Sequence, residues 1–229
     1  MLVPQALYVL RTAPRFAPAG GSPEGSFGSG EPVNLLAIGD SIIAGVGASE
    51  LSKALVGQTA KALADAQSCR VRWHAHGISG YDSTSILERI VPSIPDFAFD
   101  YVIVSVGVND VTGLTSIRKW RRNLALLVSK LQAHSPDARI AVAGIPPLHD
   151  FPLLPQPLRA AFGMRGRAFD EAARAVLADV KNAQLVPLEF EPNPANFAAD
   201  GYHPSEQGYA EFGREMADRL LRARSAVTR

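Results

Sequence analysis

The sequence predicts an α/β protein, a three-layer α/β/α sandwich with a mainly parallel central sheet. Short apolar runs alternate with amphipathic segments of helical period over residues 33–221. This alternation is typical of parallel strands that are joined by helical crossovers and covered on both faces. Polar turns that contain glycine follow the first three apolar runs, and ligand sites in open α/β sheets form at that end of the strands.

The predicted strands are the apolar runs at residues 35–38, 71–76, 101–106, 139–145 and 185–188. The run 71–76 alternates in polarity, which indicates a strand with one less buried face. The run 101–106 is rich in β-branched residues and predicts a buried strand.

Helices are predicted at 52–67, 83–94, 117–131, 169–180 and 209–220, where apolar residues recur every three or four positions. Pro92 is expected to bend the second of these helices, and Pro95 to end it. Five prolines between residues 146 and 157 predict a stretch without regular structure.

Composition limits the classes of function. The 229 residues carry a formal net charge of +1, so no strong electrostatic field attracts nucleic acid, and we expect no nucleic-acid partner. The single cysteine, Cys69, excludes an internal disulfide and a multi-cysteine metal site, and it fits a reducing, cytoplasmic compartment. No apolar run approaches the ~20 residues of a transmembrane helix.

The sequence predicts an irregular leader over residues 1–32 and a single domain over residues 33–229. Proline, glycine, alanine and serine dominate residues 13–32. The first ten residues are mildly apolar, but Pro4 interrupts them and no basic region precedes them, so they make a poor signal peptide. They are expected to pack on the body, on a membrane or on a partner.

A candidate nucleophile follows the first predicted strand, in Gly39-Asp40-Ser41. We expect Ser41 at the start of a helix, where free N–H groups and the helix dipole favour negative charge. By itself this serine is better explained as a helix cap, and the rest of the sequence is needed to favour a nucleophile.

A serine hydroxyl needs a base, because it is a weak nucleophile at neutral pH. His203, in the loop Asp200-Gly201-Tyr202-His203-Pro204, is the best candidate. Asp200 lies three residues earlier and is placed to orient the imidazole and to stabilise the imidazolium. Asp110 is the alternative third member of this triad.

Acyl transfer also needs donors for an oxyanion, and losing one donor typically costs ~2.7–4 kcal/mol of transition-state stabilisation. The backbone N–H groups of Ser41 and Gly80 and the side-chain amide of Asn109 are the candidates. Gly80 follows the second predicted strand and Asn109 the third, so both are expected at the same edge of the sheet as Ser41.

These blocks resemble those of the SGNH hydrolases, also called GDSL-type esterases and lipases. The matching positions are Ser41 in Gly-Asp-Ser, Gly80 (with Gly77 as the alternative) in the second block, Asn109 in Gly-x-Asn-Asp, and Asp200 and His203 in Asp-x-x-His. The resemblance covers residues 33–221. It implies a flavodoxin-like fold and a serine esterase that needs neither metal nor cofactor.

The resemblance also implies a small-molecule ester as substrate. Small-acyl or aryl esters are expected first, because the loop 146–157 and the apolar residues after Ser41 predict an apolar acyl pocket. A carbohydrate O-acetylesterase, a lysophospholipase or thioesterase, and a catalytically silent binding protein on the same fold are the alternatives.

A basic cluster, Arg118, Lys119, Arg121 and Arg122, lies on the long predicted helix. This pattern is typical of a solvated helix face, and an anionic partner is the alternative.

Overall fold

The computed structural model describes residues 16–151, 154–188 and 193–222, which form a six-stranded sheet between two layers of helices. The strands are β1 (Glu24–Phe27), β2 (Pro32–Gly39), β3 (Arg70–Gly77), β4 (Tyr101–Ser105), β5 (Arg139–Ala143) and β6 (Ala183–Val186). Their order is β1-β3-β2-β4-β5-β6. Every neighbouring pair is parallel except β1 with β3, so the predicted mainly parallel α/β sandwich is confirmed.

The main helices are α1 (Leu55–Gln67), α2 (Ser83–Ser85), α3 (Val108–Thr112), α4 (Ile117–His134), α5 (Leu158–Leu177) and α6 (Glu206–Arg222). After α2 the chain continues as a π-helical turn and a 3-10 turn, the latter containing Pro92, where a bend was predicted. Alternate strand residues face opposite layers. Leu35 and Ala37 pack with α1 and α6, whereas Leu36 and Ile38 pack with the π-helical turn after α2 and with α4 and α5.

Strand β1 corrects the prediction of an irregular leader over residues 1–32. Its four residues, Glu-Gly-Ser-Phe, pair antiparallel with β3 at the edge of the sheet. The segment lacks an apolar run because Gly25 lies on the ring of Trp73, which is 2.6 Å from where a Cβ of residue 25 would stand. Residues 1–15, with the apolar start of the chain, lie outside the described residues.

The region before β6 also differs from the prediction. A 3-10 turn over Leu148–Asp150 interrupts the proline-rich stretch that was expected to lack regular structure. Helix α5 begins at Leu158 rather than near residue 169. Gly163 and Gly166 are poor helix formers, so the sequence does not indicate this first part of α5. Both glycines allow the backbone of α5 to approach His149 and Ile145 closely.

Hydrogen bonds to helix α6 hold the loop that follows β2 in place. The Tyr209 hydroxyl donates to the carbonyl of Val46 at 2.7 Å. The backbone N–H and the hydroxyl of Ser49 both donate to the Glu206 carboxylate, at 3.1 and 2.6 Å. The two chain segments that flank these contacts carry Ser41 and His203, so α6 sets the position of one relative to the other.

Candidate active site

Ser41 lies in a series of turns directly after β2. Residues 41–47 form these turns, and the first helical residues after them begin at Leu51. The prediction that a helix begins at Ser41 is therefore wrong. The turn is held by backbone bonds instead, from Asp40 N–H to the Ser105 carbonyl and from Val46 N–H to the Ser41 carbonyl.

The structure brings Ser41, His203 and Asp200 into one line. The Nε2 atom of His203 is 3.0 Å from Ser41 Oγ, and its Nδ1 atom is 2.7 Å from Asp200 Oδ2. The other Asp200 oxygen accepts the backbone N–H groups of Tyr202 and His203, both at 2.9 Å. A carboxylate on Nδ1 keeps the proton on that nitrogen, which leaves Nε2 free to accept the serine proton.

Asp110, the alternative third member of the triad, is engaged elsewhere. Its two carboxylate oxygens accept the backbone N–H and the hydroxyl of Ser83, at 2.8 and 2.7 Å. Asn123 on α4 donates to the same hydroxyl at 3.0 Å. This buried network ties α3 to the loop that contains Gly80 and does not involve His203.

The three candidate oxyanion donors line one cleft. Asn109 donates one amide N–H to the Tyr81 carbonyl at 2.9 Å, and this bond fixes the orientation of the amide. The second N–H of the amide can donate to a ligand. Within the described ranges, the backbone N–H groups of Ser41 and Gly80 donate to no protein acceptor. All three sites can therefore donate to a ligand.

Gly80 and its alternative, Gly77, have different surroundings. A Cβ at Gly77 would lie 2.2 Å from the backbone nitrogen of Ala44, so this glycine allows β3 to pack on the turn that carries Ser41. Gly80 lines the cleft, has a φ of +85° and faces open space. A backbone N–H that must approach a ligand is better supplied by Gly80.

Asp40 braces the turn around Ser41. Its Oδ1 atom accepts the Ile42 N–H at 3.1 Å and the Ser105 hydroxyl at 3.3 Å. Burial raises the pKa of this carboxyl to about 7, even though both hydrogen bonds oppose the shift.

Asp40 is expected to make the stability of the fold depend on pH. Between pH 3.8 and about 7 the folded protein keeps a proton on Asp40 that the unfolded chain releases, so the free energy of unfolding falls as the pH rises through this window. Asp40→Asn keeps the acceptor but cannot ionise. We expect this variant to lack that part of the slope and to gain stability relative to the natural protein as the pH approaches 7.

Thermal or urea unfolding across this pH range measures the effect. Asp137 is exposed, so Asp137→Asn removes one carboxylate without affecting a buried group and is the matched control. Parallel stability curves for Asp40→Asn and the natural protein would contradict the assignment.

The cleft has a volume of about 650 Å³ and one apolar wall. That wall is built by side chains from the proline-rich loop and the start of α5, namely Phe151, Leu154, Leu158 and Phe162. The ring of Tyr202 stands between this wall and the triad, 5.2 Å from Phe151 and 5.0 Å from His203, edge to face with both.

Sequence reasoning missed Tyr202 and the α5 part of the wall. The position of Tyr202 inside the Asp-x-x-His block was the available signal for the tyrosine. Burial raises the pKa of its hydroxyl, so Tyr202 offers the cleft a neutral aromatic group. Among the described residues, no group of three or more His, Cys, Asp or Glu side chains is placed to hold a metal ion.

The model of the GDSL-like lipase/acylhydrolase family matches residues 37–211, a range that includes the five candidate site residues Ser41, Gly80, Asn109, Asp200 and His203. The chain belongs to this family. The GDSL-like esterase Rv1075c of Mycobacterium tuberculosis (strain ATCC 25618 / H37Rv) is 32% identical over 192 residues, which are 78% of this chain and 58% of that protein. The chain thus spans less than two thirds of the length of this relative.

Two solved structures have the same fold as this chain. The structure of TesA is 27% identical, with a TM-score of 0.65 over 82% of this chain and 97% of that one. The psychrotrophic esterase EstA from Pseudoalteromonas sp. is 21% identical, with a TM-score of 0.66 over 84% and 98% of the two chains. Along the described residues, no helix is both long and apolar enough to cross a membrane.

Proposed function

We propose that this protein is a serine esterase that hydrolyses carboxylic esters of small-acyl or aryl type. The observation that carries the proposal is the unbroken line from Asp200 through His203 to Ser41, with contacts of 2.7 and 3.0 Å. Such a line activates a serine for acyl transfer, and the chain belongs to a family of acylhydrolases.

In the first half of the reaction Ser41 Oγ attacks the ester carbonyl while His203 Nε2 takes the hydroxyl proton. The carbonyl oxygen becomes an oxyanion, which accepts the N–H groups of Ser41 and Gly80 and the second amide N–H of Asn109. Asp200 stabilises the imidazolium. The intermediate then collapses, His203 gives its proton to the departing alcohol, and the acyl group stays on Ser41.

In the second half a water molecule replaces the alcohol. His203 takes a proton from this water, whose oxygen attacks the acyl carbonyl, and the same donors bind the second oxyanion. Collapse breaks the bond to Ser41 Oγ, and His203 returns the proton to that oxygen. One ester and one water give one acid and one alcohol.

The apolar wall supports an acyl group as the part of the substrate that enters the cleft. Phe151, Leu154 and Leu158 are almost fully buried and present no charge to that side. The further extension of the wall to Phe162 favours one second candidate, a lysophospholipase or thioesterase that takes longer acyl chains. A series of aryl esters of increasing acyl length distinguishes the two.

Labelling with a fluorophosphonate probe tests the proposal. The folded protein should acquire one covalent phosphonyl group, and peptide mass spectrometry should locate it on Ser41. Ser79 and Ser85 also line the cleft and serve as internal controls, because neither contacts a histidine. Failure of the folded protein to react would support a binding protein on the same fold instead.

A further inference from the structure

Four cations stand in the first two turns of α4: Arg118, Lys119, Arg121 and Arg122. The three arginines are exposed and the lysine is half-buried. No acidic residue occurs in the first turn of the helix or anywhere in residues 111–136. In the part of the chain that the structure describes, none of the four makes a salt bridge.

This arrangement is unfavourable for the isolated fold. The N-terminus of a helix carries a partial positive charge, which disfavours cations in the first turn, and like charges one turn apart repel each other. The net charge of the whole chain is only +1, so the cluster does not reflect a generally basic protein. An anionic partner would remove both penalties.

Three exposed apolar side chains belong to chain segments that line the cleft. Ile78, Leu114 and Met164 are 44%, 68% and 60% exposed. Ile78 precedes Ser79, Leu114 follows Gly113, and Met164 is two positions after Phe162, and these three neighbours line the cleft. The three chain segments that carry these side chains therefore border the cleft, and we call Ile78, Leu114 and Met164 the apolar rim.

Leu114 is held in an unusual conformation. Its φ of +58° lies in the left-handed region, which a bulky residue other than glycine rarely adopts. The backbone bonds from Leu114 N–H to Val111 and from Thr115 N–H to Asp110 maintain it. The fold thus keeps a strained turn that presents a leucine to solvent, and such strain is concentrated at functional positions.

Contacts of neighbouring residues connect the basic cluster with the apolar rim. Leu114 is four residues before Arg118. The charge of Lys119 acts on Asp82, which lines the cleft. The guanidinium of Arg165 donates to the carbonyls of Val111 and Thr115, which fixes α5 and Met164 beside the turn of Leu114. A flat partner that touches the rim would therefore also meet the cluster.

We propose that the cleft entrance and the first half of α4 form a docking surface for membranes that contain anionic phospholipids. Leu114, Met164 and Ile78 enter the interfacial layer of the bilayer, and the four cations meet lipid phosphates. A protein partner is less suitable, because a protein interface is built on a contiguous apolar core, whereas these three side chains are separate. This surface does not depend on esterase activity.

Sedimentation of the full chain with phosphatidylcholine vesicles, with and without phosphatidylglycerol, tests the proposal. The protein should bind the anionic vesicles, and added salt should weaken the binding. The triple variant Arg118→Gln, Arg121→Gln and Arg122→Gln should lose about a hundredfold in affinity, since each basic residue near an anionic surface contributes about fivefold. The control triple variant Lys61→Gln, Arg70→Gln and Arg214→Gln removes three exposed charges from α1, β3 and α6 and should bind normally.

A second variant tests the apolar rim. Leu114→Asn with Met164→Ser should reduce binding even at low salt, and asparagine tolerates the left-handed conformation of residue 114. Thermal unfolding and, if the proposed esterase activity is present, hydrolysis of a soluble aryl ester show that each variant is folded. Equal losses in the two triple variants, no binding by the natural protein, or binding that depends only on residues 1–15 would overturn the proposal.

Discussion

Ser41→Ala is expected to abolish ester hydrolysis and to leave the fold intact. The substitution removes the atom that forms the acyl bond, and loss of a catalytic serine costs about 10⁶-fold in kcat. Within the described residues the Ser41 hydroxyl contacts only His203, and its carbonyl keeps the bond to Val46 N–H. The turn should therefore survive, and the thermal unfolding temperature should change little.

The measurement is hydrolysis of a short-chain aryl ester by the purified variant. Ser79→Ala, which alters another serine of the cleft wall, is the matched control and should keep most of the activity. A Ser41→Ala variant as fast as the natural protein would refute the assignment of the nucleophile.

Asp200→Asn is expected to lower kcat by about 10⁴-fold, the loss typical of a triad that is held in the wrong tautomer. The amide oxygen can still accept the N–H groups of Tyr202 and His203, which bind Asp200 Oδ1. The amide NH₂ then faces His203 Nδ1, which must become an acceptor. The proton moves to Nε2, and the base that serves Ser41 is lost.

Steady-state kinetics across pH measure this effect. His149 and Asp150 form a second, exposed histidine–carboxylate pair at 3.5 Å, so Asp150→Asn is the matched control and should be nearly as active as the natural protein. If Asp200→Asn retained the natural rate, the orienting group would have to be sought elsewhere.

The parallel sheet could be predicted from the sequence because its strands are buried on both faces. Burial on both faces requires short apolar runs such as those of β2 and β4, and these stand out in the sequence. The carboxyl ends of such strands lie at one edge of the sheet, so Ser41, Gly80 and Asn109 were expected together. His203 and Asp200 lie outside the strands, and their local spacing indicated their pairing.

Other features depend on contacts between residues distant in sequence. Strand β1 exists because Gly25 fits on Trp73, and no pattern within its own four residues reveals this. The α5 wall was hidden by Gly163 and Gly166, which are poor helix formers but are required where α5 meets the preceding loop. The turns after β2 are held by Ser105 and Tyr209, which lie far along the chain.

The attachment of Val46 and Ser49 to α6 has a consequence for synthesis of the protein. Ser41 and His203 are 162 residues apart, and the helix that fixes their relative position is the last described element of the chain. A nascent chain still lacking α6 therefore contains the nucleophile but has no assembled site, so we expect it to be inert toward esters in the cell. Reactivity toward a fluorophosphonate during refolding would report when α6 docks.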